Sequence, residues 1–218
     1  MEHCPVSLRH GVTALLIVLP IWLSACSKAP QHAPLAENAT VVILGDSLSY
    51  GTGAGNGEDY PSLLAAGTGW HVINAGVPGD TSAGGLERLP ELLDAYEIDL
   101  LIVALGGNDF LRRFSPEETT NNLHAILAES RAANVQALLV AIPQPSAFGA
   151  ATGLLSDHAL YRQLAEETGT PLIEELFTEV LSKNSLKADA IHPNAAGHRL
   201  VAEKLQAALR KTGFLSAD

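Results

Sequence analysis

Apolar and polar positions along this chain follow two alternating rhythms. Runs that are apolar almost throughout occur at 41–44, 70–74, 99–105, 137–142 and 170–173. The first and third of these read as strands buried on both faces, the condition of central strands in a parallel sheet. Between them lie stretches with apolar residues three and four apart, and Leu86, Leu89, Leu92 and Leu93 fall on one helical face. Ser115-Pro116-Glu117-Glu118 is a helix start, with a cap, a proline at the first position and acids in the first turn. Further helices are expected over 60–66, about 157–168 and about 194–211. Strand and helix alternate to the end, and no internal repeat is evident. The pattern predicts an α/β domain in three layers, doubly wound around a five-stranded parallel sheet of flavodoxin-like order.

The beginning of the chain follows neither rhythm. Arg9 and His10 precede an apolar run over 11–23, which closes on Ser24-Ala25-Cys26. A basic end, a short apolar core and small residues at a cleavage point mark a secretory signal. The run is shorter than the roughly 20 residues needed to cross a bilayer and contains Pro20, so a membrane-spanning helix is not expected. Leu23-Ser24-Ala25-Cys26 resembles the bacterial lipoprotein box. Residues 1–25 are therefore expected to be a signal peptide, with Cys26 lipidated as the first mature residue and plain secretion as the alternative. Residues 26–39, with Pro30 and Pro34, read as a flexible tether, and 40–213 as the folded domain. Cys4 goes with the signal and Cys26 carries lipid, so no thiol remains for a disulfide. The expected address is extracytoplasmic, lipid-anchored to a bacterial membrane in the periplasm or at the outer membrane, with secretion as the alternative.

Composition narrows the function. Charged residues make up 17%, the formal net charge is −11 and aromatic residues are 5%. A nucleic acid finds neither a basic patch nor a stacking platform here. The glycine-rich stretch 51–57 fits neither Gly-x-Gly-x-x-Gly nor a Gly-Lys-Ser/Thr phosphate loop, and is read as a mobile surface loop. With no His-x-x-x-His and no cysteine pair, neither a metal nor a cofactor is expected.

The chemistry gathers where strands end. Gly45-Asp46-Ser47, Gly79-Asp80-Thr81 and Gly106-Gly107-Asn108-Asp109 follow the first three strands, so they should share one edge of the sheet. Asp189-Ala190-Ile191-His192 lies just before the last helix. Hydrolysis by a serine needs a base for the hydroxyl proton, a group that orients the base, and donors for the oxyanion. His192 can be the base, Asp189 its orienter, and Gly79 and Asn108 the donors. Asp46 and Asp109 read as turn carboxylates, Asp80-Thr81 as a helix cap, and His71, His124, His158 and His198 as surface or packing residues.

These four blocks, in this order, resemble the GDSL or SGNH hydrolase family, named for Ser, Gly, Asn and His in four separated blocks. The stretches 74–82 and 105–109 are most similar to its bacterial thioesterase, lysophospholipase and arylesterase branch. The resemblance covers roughly 40–210 and implies Ser47 as nucleophile, His192 as general base and Asp189 as its partner. It further implies an oxyanion hole of the Ser47 and Gly79 N–H groups and the Asn108 side chain. No Gly-x-Ser-x-Gly surrounds Ser47, so the nucleophile elbow of α/β-hydrolases is absent. Phe110 stands where this branch often has glycine, which bears on acyl-chain preference. The implied activity is hydrolysis of aryl or short-acyl esters, lysophospholipids and thioesters by a monomer, rising with pH as the imidazole base loses its proton. Two alternatives remain open: a carbohydrate O-deacetylase of the same superfamily, and a non-catalytic lipoprotein that binds acyl groups or envelope partners.

Overall fold

The computed structural model describes residues 32–146 and 152–216, together with 1–3 and 149. The expected signal peptide beyond its first three residues, Cys26 and positions 27–31 lie outside the described residues. Five strands form one sheet: β1 (Thr40–Gly45), β2 (His71–Gly76), β3 (Leu100–Ala104), β4 (Gln136–Val140) and β5 (Leu172–Ile173). They are all parallel, in the order β2-β1-β3-β4-β5, the flavodoxin-like arrangement that the alternation predicts. β3 is buried at every position and β1 at all but its first, as central strands covered on both faces should be.

The helices are α1 (Ser47–Tyr50), α2 (Tyr60–Thr68), α3 (Ser82–Ala95), α4 (Gly107–Leu111), α5 (Pro116–Ala132), α6 (Leu160–Thr168), α7 (Leu176–Leu181) and α8 (Ala195–Thr212). α2, α7 and α8 pack together on one face, and α3, α5 and α6 on the other. Every long helix expected from the sequence is present, with ends that match or differ by up to three residues. Three short helices are not legible in the periodicity: α1, α4 and α7. Four to six residues complete less than two turns, so no apolar stripe develops. α1 and α4 are instead fixed by their entry. Asp46 caps α1 by accepting from Leu48 N–H, and Gly106 enters α4 at φ +117, a region that only glycine adopts without strain.

Burial of Ile43, Leu101, Ile102, Leu138 and Leu205 joins the sheet to both helical layers. Each such side chain removed from water contributes on the order of 1.5–3 kcal/mol. Part of the expected tether is also docked. Leu35 N–H donates to Phe214 O at 2.9 Å, His32 N–H donates to Thr212 O at 3.2 Å, and the His32 ring stacks on Phe214 with centroids 4.2 Å apart.

Candidate active site

Because all strands run in one direction, the turns after β1, β2 and β3 lie at one edge of the sheet, and α8 brings a fourth segment there. β1 ends at Gly45, where an added Cβ would lie 2.0 Å from Ser49 Oγ, so only glycine allows α1 to start so close to the strand. Ser47 is the first residue of that helix. His192 Nε2 lies 3.0 Å from Ser47 Oγ, and His192 Nδ1 lies 2.7 Å from Asp189 Oδ2. Asp189 Oδ1 accepts from the Ile191 and His192 N–H groups, both at 2.9 Å, which fixes the carboxyl plane. Burial pushes the Asp189 carboxyl up, but the His192 ring and those two N–H donors outweigh it and hold it below its ordinary value. An ionised carboxylate only accepts, so Nδ1 carries the ring proton and the Nε2 lone pair faces the serine.

Asn108 stands at the start of α4, and its amide donates to Asp80 O at 2.8 Å and to Asp46 Oδ2 at 3.1 Å. To serve a third acceptor, it has to share or release the longer of these bonds. Among the described residues, the Ser47 and Gly79 backbone N–H groups have no acceptor. The Gly79 turn is held from outside by Arg112, whose Nη2 donates to Gly79 O at 2.7 Å.

The environment of Asp46 separates it from Asp189. It is 2% exposed, and burial pushes its carboxyl up to about 6, against the Leu48 N–H that stabilises the charge. The native state holds this proton more tightly than the unfolded chain, so stability falls as pH rises from about 4 to about 6 and stays reduced above. Asp46→Asn keeps a cap acceptor and removes the charge. Urea melts should therefore show the variant gaining on the wild type by up to about 3 kcal/mol between pH 4 and pH 7.5. Its kcat should fall, because the Asn108 amide then faces a second amide instead of a carboxylate.

One residue that matters here carries no mark in the sequence. Arg88 is a polar position on an amphipathic helix, yet its Nε donates to Asp80 Oδ2 at 2.8 Å and its Nη2 to Gly45 O at 2.9 Å. It thereby ties the end of β1, two residues before Ser47, to the turn that follows Gly79. Arg88→Met is expected to lower kcat by about 10- to 100-fold with little change in KM, since small misplacements cost that much. Arg88→Lys, a point charge without the fork, should recover only part of the loss. Steady-state kinetics on a soluble aryl ester reads both effects.

The glycine-rich stretch is more than a surface loop. At Gly53 (φ +94) an added Cβ would lie 2.2 Å from Pro193 O, so the loop supports the turn that carries His192. His198 joins the same contact: it is fully buried and bridges Thr52 O at 3.3 Å and Tyr60 N–H at 3.4 Å. Asp109 is a buried carboxylate that accepts from Ser82 N–H at 2.9 Å and from the Ser82 hydroxyl, a structural role as expected. Thr81 caps α3.

Ser47 and His192 open into a cavity of about 260 Å³ whose walls are mostly apolar: Leu48, Leu111, Ile142, Pro143, Pro145 and Leu155. Phe110 follows Asn108 by two residues on α4. Its ring stacks on His158 with centroids 4.6 Å apart and meets Tyr161 edge-on, which ties α4 to the segment after β4. No group of acidic, histidine or cysteine side chains among the described residues is arranged to hold a metal ion.

Comparison with known proteins agrees with this geometry. Residues 43–200 match the GDSL-like Lipase/Acylhydrolase family. The chain is 38% identical to the thioesterase 1/protease 1/lysophospholipase L1 of Escherichia coli, over 75% of this chain and 80% of that protein. It is 31% identical to an arylesterase of Vibrio mimicus, over 88% of this chain and 94% of that protein. The crystal structure of the psychrotrophic esterase EstA from Pseudoalteromonas superposes with a TM-score of 0.71 at 31% identity, covering 80% of this chain and 98% of that one. The chain belongs to the GDSL-like lipase/acylhydrolase family and is a hydrolase of ester bonds.

Proposed function

We propose that the chain is a lipid-anchored, extracytoplasmic serine esterase in which Ser47, His192 and Asp189 carry out hydrolysis through an acyl-enzyme. As Ser47 Oγ attacks the carbonyl carbon, His192 Nε2 takes its proton. The Ser47 and Gly79 N–H groups and the Asn108 amide receive the charge that develops on the carbonyl oxygen. His192 then returns the proton to the leaving oxygen or sulfur, and the same cycle with water frees the acid. The observation that carries this reading is the serine–histidine–carboxylate relay, 3.0 Å and 2.7 Å between successive atoms, at the mouth of an apolar cavity.

An apolar cavity suits an acyl chain or an aryl group better than a hydroxyl-rich sugar, which favours aryl and short-acyl esters and lysophospholipids over an O-deacetylated carbohydrate. A non-catalytic binder has no use for a base held in one tautomer. Thioesters fit the same chemistry, but a carrier confined to the cytoplasm would not meet an exported enzyme. The Cys26 lipid anchor rests on Leu23-Ser24-Ala25-Cys26 alone.

Turnover of p-nitrophenyl esters from acetyl to palmitoyl, beside a monoacyl phospholipid and an acetylated sugar, tests the reading. Hydrolysis of the aryl esters with a preference along the series is expected. Turnover of the acetylated sugar alone would replace it with the deacetylase.

A further inference from the structure

α4 carries Asn108, yet it is too short to hold its own direction. Its five residues complete less than two turns, and isolated helices that short are not stable in water. The orientation of α4 therefore comes from contacts made around it. Asp109 fastens it to the start of α3 through Ser82 N–H at 2.9 Å, and Arg112 fastens its far end to Gly79 O at 2.7 Å. The third contact lies at its entry and comes from α6. Tyr161 is fully buried, and its hydroxyl donates to Leu105 O at 2.7 Å, across 56 positions. The same oxygen sits against the next residue, because a Cβ added at Gly106 would lie 2.3 Å from Tyr161 Oη. Gly106 enters α4 at φ +117, and the hydroxyl occupies the space that its missing side chain leaves. Tyr161 thus touches both residues of the 105–106 peptide, and Gly106 is two residues before Asn108. Its ring also meets Phe110 edge-on, with centroids 6.3 Å apart. Burial, together with the Asp109 and Asp46 carboxylates, pushes the phenol well above its ordinary value, so it stays a donor.

We propose that Tyr161 is a positioning residue for the oxyanion hole: its hydroxyl fixes the Leu105–Gly106 peptide and, through it, the direction in which Asn108 presents its amide. This rests on Asn108 being an oxyanion donor. Such a donor accelerates the reaction only if it is aimed, before the substrate arrives, at the place where charge develops. The Asn108 bonds to Asp80 O and Asp46 Oδ2, 2.8 Å and 3.1 Å, orient the amide only while the backbone beneath it stays in place. Without the hydroxyl, the buried Leu105 carbonyl loses a donor, and its peptide gains by rotating toward another. Gly106 offers little steric resistance to that rotation, so it passes directly into the first turn of α4. Tyr161 is not part of the cavity wall, so the effect belongs in kcat more than in KM.

Tyr161→Phe removes the hydroxyl and keeps the ring, and steady-state kinetics on soluble p-nitrophenyl butyrate reads the result. Asn108→Ala should lower kcat by about 10²- to 10³-fold, the usual effect of losing one oxyanion donor. Tyr161→Phe should lower it on the order of 10-fold, with KM little changed. On the Asn108→Ala background, the same substitution should cost less than about twofold, because the group it positions is gone. A merely structural role would lower the melting temperature without this coupling. Gly106→Ala reaches the contact from the other side, its Cβ displacing the hydroxyl, and its loss of kcat should likewise vanish on the Asn108→Ala background. It is the variant to use if Tyr161→Phe does not fold. Tyr161→Phe at the wild-type kcat, or losses that multiply in the double variant, would overturn the positioning role. Asn108→Ala at the wild-type kcat would overturn the oxyanion role of Asn108, and the positioning with it.

Discussion

Ser47→Ala is expected to abolish ester hydrolysis, with a loss on the order of 10⁶-fold in kcat, while the protein melts at the same temperature as the wild type. The size follows from what is removed. Among the described residues, Ser47 Oγ is the one hydroxyl hydrogen-bonded to His192 Nε2, and the substitution takes away the atom that would bond to the acyl carbon. Little else changes, because among the described residues the Oγ makes no other hydrogen bond and the side chain is only half-buried at the head of α1. His192→Ala should cost nearly as much, and the double variant no more than either single one, since nucleophile and base act as one unit. An organophosphonate ester gives a second readout. It should add its mass to the wild type at Ser47 and leave the alanine variant unmodified. Residual turnover above about 1% in Ser47→Ala, or labelling elsewhere, would remove Ser47 from the role proposed for it.

How much of this was legible beforehand differs from element to element. The strands were readable because β1 and β3 are covered on both sides and must be apolar at nearly every position. The same rule explains why Ser47, Gly79 and Asn108 could be assigned to one edge, since parallel strands put all their carboxyl ends together. His192 and Asp189 were readable as a local pair, three residues apart before a helix. Contacts between elements distant in sequence were not. Arg88 reaches Gly45 O across 43 positions, and Gly53 meets Pro193 through a loop whose glycines looked like flexibility. A side chain that stabilises a turn by donating to a carbonyl needs no partner side chain, so no pair of residues in the sequence announces it. The docked stretch 32–39 was missed for a related reason. Pro34 and polar neighbours look like linker, while the stabilising contacts come from the other end of the chain, at Thr212 and Phe214.

The second large effect concerns the proton on His192, and Asp189→Asn isolates it. In the wild type, Oδ1 is committed to the Ile191 and His192 N–H groups, and Oδ2 faces His192 Nδ1. An asparagine keeps its carbonyl oxygen toward those two N–H donors, because an NH₂ group there would meet hydrogens with hydrogens. Its NH₂ then points at Nδ1 and must donate to it. That reverses the tautomer: Nδ1 becomes the acceptor, and Nε2 carries a hydrogen toward Ser47, where a lone pair is needed. The expected loss approaches about 10⁴-fold in kcat, with KM little changed. Asp189→Ala should be less damaging. Asp189 is 53% exposed along its side chain, so water can enter and accept from Nδ1–H. The order of the two variants is therefore the measurement of interest, with the isosteric replacement slower than the truncated one on the same soluble ester. If alanine proves the worse substitution, Asp189 acts through its charge and its hold on the turn rather than through the tautomer it imposes.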